Sequence, residues 1–148
     1  MAEGAKPTSV IQSVITDVEP QLSPDARWLA YASTETGAYD VFVQPFPTTG
    51  AKWQISAGGG RQPMWRRDGR ELFFVTNDRK FYAVDVRAGA TFEFSEPRFL
   101  FTMPTNTISV RNSYAPSRDG QRFLVNMVLD SAMPPINVDL DWMATAQR

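Results

Sequence analysis

Apolar and polar positions alternate along this chain in short runs. Trp28-Leu29-Ala30-Tyr31-Ala32, Asp40-Val41-Phe42-Val43-Gln44, Leu72-Phe73-Phe74-Val75 and Phe81-Tyr82-Ala83-Val84-Asp85-Val86 are brief, rich in aromatic or β-branched side chains and bounded by turn residues. That pattern predicts strands, and no segment carries a sustained helical stripe. The 11 prolines and 9 glycines fall mostly between the runs, as punctuation of an all-β chain requires.

The runs recur as a unit. Glu19–Tyr31 aligns without gaps to Gln62–Phe74, 43 residues later, and again to Ser113–Val125, a further 51 residues on. A repeat of roughly 40 to 45 residues holding four short strands is the period of a propeller blade. The predicted strands of the first repeat lie near Pro20–Leu22 and at Trp28–Ser33, Tyr39–Gln44 and Lys52–Ser56. Those of the second are Gln62–Trp65, Glu71–Thr76, Lys80–Val86 and Pro97–Phe101, and those of the third Asn112–Ala115, Arg122–Met127 and Ile136–Trp142. The fold class is therefore all-β: three four-stranded antiparallel propeller blades, at about 19–60, 61–110 and 111–148, after an N-terminal segment 1–18. Ser9–Thr16 reads as an extra strand at the start while the third blade lacks its fourth. Strand exchange would settle both, so the expectation is half of a six-bladed ring completed by a symmetric homodimer or by the rest of a larger propeller.

Each repeat turns at Ser23-Pro24-Asp25-Ala26, Arg66-Arg67-Asp68-Gly69 or Ser117-Arg118-Asp119-Gly120. Proline presets φ, the aspartate accepts backbone N–H groups, and glycine permits positive φ where the chain re-enters a strand. Spaced ligands of the D-x-D-x-D-G kind are absent, so these aspartates read as turn residues and no metal is expected. The strings EPQLSPDARWLAYAS, RDGQRFLVN and PINVDLDW, with VFVQPFP and PRFLF between them, resemble TolB-like propeller repeats with the Ser-Pro-Asp-Gly signature. They are especially similar to the C-terminal propeller region of bacterial serine/threonine kinases. The resemblance implies a six-bladed-type binding or accessory domain. The chain departs from it at Ala26, Arg66-Arg67 and Arg118, and it holds no nucleotide or catalytic-loop motif of the kinase itself.

Composition narrows the chemistry. Histidine and cysteine are both absent, which removes Ser-His and Cys-His nucleophile pairs, thiolate and imidazole metal sites and disulfides. The expectation is no enzyme and no cofactor. A net charge of −1 supplies no field for a phosphate backbone, so no nucleic acid is expected. No apolar run is long enough to span a bilayer, and the compartment is left open.

Arginine beside an aromatic suits protein recognition and anionic ligands. Arg61, Trp65, Arg66 and Arg67, with Arg111 and Tyr114, are therefore the candidate binding residues for a protein, peptide or small ligand, weighed against solvated turns beside a core tryptophan. Gly58-Gly59-Gly60 could cradle phosphate, yet no helix follows, and a connector is the simpler reading. Trp28, Trp53, Trp65 and Trp142 suit packing between blades. Glu93, Asp139 and Asp141 read as surface charge. The remaining alternative is a sensor or gating domain of a serine/threonine kinase or a prolyl-oligopeptidase-type hydrolase.

Overall fold

A computed structural model describes residues 16–89, 91–103 and 113–126 of the 148. The predicted strand Ile136–Trp142, the candidate Arg111 and residues 9–15 of the predicted extra strand lie outside the described residues. Thr16 continues the first strand, its N–H and carbonyl both bonded to Thr34.

Three antiparallel sheets follow one another. The first holds β1 (Asp17–Leu22), β2 (Trp28–Ser33), β3 (Asp40–Pro45) and β4 (Trp53–Gln54) in that order. The second runs β5 (Arg61–Trp65), β6 (Glu71–Val75) and β7 (Lys80–Ala88). The long β7 pairs with β8 (Phe92–Phe94) through its last residues and with β9 (Arg98–Thr102) through its first. The strand expected at Pro97–Phe101 is β9, while β8 was not anticipated: Phe92-Glu93-Phe94 alternates apolar and polar but is too short a run to stand out. β10 (Tyr114–Pro116) and β11 (Phe123–Val125) form the described part of the third sheet.

The three turns fold alike because their aspartates do the same work. Asp25, Asp68 and Asp119 accept the N–H two residues on, at 3.2, 3.0 and 3.0 Å. Ala26, Gly69 and Gly120 all take positive φ, at 56°, 73° and 72°, so Ala26 holds a left-handed backbone that glycine adopts at lower cost. Ser23 and Ser117 add a hydroxyl that donates to the aspartate at 2.6 Å and accepts the N–H of Trp28 or Arg122.

Sheets stack through the residues that strand alternation places on facing sides. Trp28, Ala30, Val41 and Val43 of the first sheet meet Leu72, Phe74, Val84 and Phe92 of the second. Phe73, Val75 and Phe81 of the second meet Tyr114, Phe123 and Val125 of the third. Each buried ring contributes about 1.5–3 kcal/mol of transfer free energy. Equivalent positions show where stacking stops: Ala30 is 0% exposed, Phe73 1% and Leu124 65%.

The innermost strands are tied directly. β1 and β5 are each bulged, at Val18–Gln21 and Arg61–Met64, and the bulge residues Glu19 and Gln62 sit at φ 57° and 54°. A bulge re-aims a side chain, at a backbone cost of about 1–3 kcal/mol for such a residue. Here each is aimed at the next sheet. Glu19 Oε2 accepts the Gln62 N–H at 2.7 Å, and Gln62 Oε1 accepts the Ser113 N–H at 2.9 Å and its hydroxyl at 2.7 Å.

Candidate functional site

A groove of about 1030 Å³ opens between the first two sheets on the side bearing their turns. Its walls are the turn at Ser23–Asp25, the turn at Arg66–Glu71 and the β7–β8 hairpin, with Trp28 and Trp65 between them. The indoles are fixed by packing. Trp28 lies 5.7 Å from Trp53 and 5.0 Å from Phe92, ring centre to ring centre, and Trp65 donates its Nε1–H to the Gln21 carbonyl at 3.1 Å. Arg27 closes one end by donating to the Gly89 carbonyl at 2.8 Å, which holds the hairpin against the first sheet.

Of the predicted residues that are described, Trp65 and Arg66 line this groove and the others do not. Arg66 stands where the other repeats have serine, and its guanidinium is consumed locally: Nε and Nη2 each meet Asp68 at 2.7 Å, and Nη1 meets Glu71 at 2.6 Å. Its hydrogen bond, with its charge, holds the Asp68 carboxyl down at about 2. Asp25 is also lowered, chiefly by the Ser23 hydroxyl. Arg67 is exposed on the turn. Arg61, at the far end of β5, pairs with Glu19 at 3.0 Å and lies 4.3 Å over the Tyr39 ring. Tyr114 is buried between the second and third sheets, donating to the Gln62 carbonyl at 2.6 Å. Burial pushes its phenol well above the usual value.

Of the charges that remain available, sequence reasoning counted Arg70 with the arginine cluster and Glu93 as surface charge, and missed Asp85 and Arg87. Arg70, Asp85, Arg87 and Glu93 line the groove and form no ion pair among the described residues. Their signal was the alternation across β7 and β8, which sets Arg87 directly opposite Glu93. The rim therefore carries both signs and suits a polar, extended ligand more than a single anion or cation. Among the described residues no three acidic side chains converge to hold a metal.

Two of the three N–H groups of the glycine connector are already spent. Asp40 Oδ1 accepts the Gly59 N–H at 3.0 Å, and the Tyr39 carbonyl accepts that of Gly60 at 2.7 Å. A Cβ at Gly60 would stand 2.3 Å from Ser56 Oγ, so close packing of the connector dictates glycine. Among the described residues no helix is long and apolar enough to cross a membrane.

No family model and no curated protein matches this chain. Solved structures do. An oligogalacturonate lyase from Vibrio parahaemolyticus aligns over 77% of this chain and 30% of its own, with a TM-score of 0.52 at 16% identity. TolB from Acinetobacter baumannii aligns over 84% of this chain and 41% of its own, with a TM-score of 0.44 at 18% identity. The first likeness shows the fold, a β-propeller architecture. The chain spans less than a third of the lyase's length.

Proposed function

We propose that this chain is a non-catalytic propeller module that assembles with further propeller blades and holds a protein or peptide ligand in its turn-side groove. One observation carries the assembly reading. Each sheet buries the residue equivalent to Leu124 beneath the sheet that follows, and Leu124 itself is 65% exposed beside the exposed Ala115. An apolar side chain left bare at a position that the two preceding sheets bury fits association with a further sheet.

The groove supports the binding half of the reading. It is concave, floored by two indoles and rimmed by charges of both signs, a combination typical of recognition surfaces. The absence of histidine and cysteine removes the usual nucleophile pairs, and the groove's turn carboxylates are spent on backbone groups and Arg66.

The test is twofold. Purified chain offered oligogalacturonate, peptide and ester substrates, or nucleoside triphosphate with a protein acceptor should turn none of them over. Turnover abolished by a single groove substitution would end the non-catalytic reading. Leu124→Asp should suppress capture of fragments of larger propellers in co-sedimentation, and undiminished capture would end the assembly reading.

A further inference from the structure

The described junctions follow a rule, and its chemistry selects the blade that fits the open face. At both junctions the earlier sheet's bulge residue reaches forward to a backbone N–H, Glu19 to Gln62 at 2.7 Å and Gln62 to Ser113 at 2.9 Å. At both, an aromatic donor on the later sheet's inner strand reaches back to a carbonyl of the earlier one. Trp65 Nε1 does so to Gln21 at 3.1 Å, and the Tyr114 hydroxyl to Gln62 at 2.6 Å. Each junction thus holds a forward acceptor and a backward donor together, part-buried at the first and buried at the second, and polar groups taken out of water are costly to leave unpaired.

The third sheet changes the terms. Ser113 occupies the bulge-residue position, and its hydroxyl stands two bonds nearer the backbone than the carbonyl of Gln62. It already donates to Gln62 at 2.7 Å. It lacks the reach to serve a following sheet as Glu19 and Gln62 do. The first sheet is equally unsuited to follow. The positions that hold Tyr114 and Trp65 in later repeats hold Pro20 and Leu22 there. Proline has no donor at all and leucine none on its side chain. Leu22 is 46% exposed, whereas its counterpart Trp65 is partly buried against the first sheet.

We infer that the open face formed by Ala115 and Leu124 receives a propeller blade carrying an indole or phenol donor on its inner strand, and not the first sheet of a second copy of this chain. This rests on the assembly reading above. It separates the two completions that the strand count leaves open, because a two-fold dimer would bring Pro20 and Leu22 to that face with neither polar tie replaced.

The chain has no cysteine, so its Leu22→Cys/Leu124→Cys variant can be oxidised without background pairing. No intermolecular disulfide is expected. In parallel, Pro20→Tyr/Leu22→Trp gives the first sheet the donors it lacks, and sedimentation equilibrium should show self-association about ten-fold tighter than in the unmodified chain. Adding Leu124→Asp to that variant should abolish the gain. An efficient 22–124 cross-link overturns the inference and returns the two-fold dimer, and a folded donor variant that associates no better overturns it by showing that the donor does not select the blade. A gain that persists with Leu124→Asp overturns the assembly reading itself. Leu22→Trp alone, at an exposed position, keeps the test open should the double variant fail to fold.

Discussion

The two junctions between sheets solve one problem with different side chains. Between the first and second, indoles lead: Trp28, Trp53 and Trp65 surround Phe92, and the ion pair of Arg61 with Glu19 seals the inner edge. Between the second and third, phenyl rings lead: Phe81 lies within 6.0 Å of the rings of Phe73, Phe101, Tyr114 and Phe123, ring centre to ring centre, and the inner edge is neutral. What both retain is the bulge side chain reaching forward. The comparison teaches that apolar contacts here are interchangeable in kind, whereas the backbone-directed tie is held at a fixed position and at the cost of two strained residues.

The largest effect should come from the hub of the second junction. Phe81→Ala removes a side chain fully buried among four rings, and about 3–5 kcal/mol of stability should be lost in denaturant unfolding. Hydrogen exchange should then quicken across β10 and β11 before it does in β2 and β3. Equal acceleration everywhere would mean the junctions are not separable.

Next comes the tie itself. Gln62→Ala strands both the N–H and hydroxyl of Ser113 in a buried place, which should cost about 1–3 kcal/mol. Glu19→Gln keeps an acceptor for the Gln62 N–H and loses the charge facing Arg61, so it should cost less. A smaller loss from Gln62→Ala than from Glu19→Gln would show that the ion pair, not the tie, holds the inner edge.

The turns titrate unequally. The Asp68 carboxyl is depressed to about 2 by Arg66, so its contribution is present above the unfolded value near 3.8 and is lost as pH falls from there through about 2. The exposed pair is screened, so the slope should be shallow. Asp68→Asn should flatten the melting curve's pH dependence between those limits, and an unchanged slope would assign the acid loss elsewhere. Smallest of all, Ala26→Gly should stabilise and Gly69→Ala destabilise by roughly 0.5–1 kcal/mol each. A melting temperature that falls with Ala26→Gly would break the equivalence of the two turns.

The turns and the strands that flank them were legible because their signals are local. The Asp at the third turn position and the positive φ at Ala26 follow from the aligned repeats alone. β8 was not legible, since three residues carry too little periodicity, and its importance lies in a long-range contact of Phe92 with the first sheet's tryptophans. The arginine cluster was legible as composition but not as placement. Arg61 opens a five-residue strand and Arg66 follows just beyond its other end, and which guanidinium is consumed depends on Asp68 and Glu71 at the turn and on Glu19 in another sheet. The bulges escaped notice because Glu-Pro and Gln-Pro read equally well as ordinary strand starts.

The forward reach of Glu19 and Gln62 also gives the fold a direction in time. On a ribosome the amino-terminal sheet emerges first, and the acceptor it presents waits for an N–H only 43 residues behind it. The ties close loops of 43 and 51 residues, and because closure entropy grows only slowly with length, each tie costs little more than one across a loop half as long. Addition of sheets in that order leaves bare the surface of the newest one.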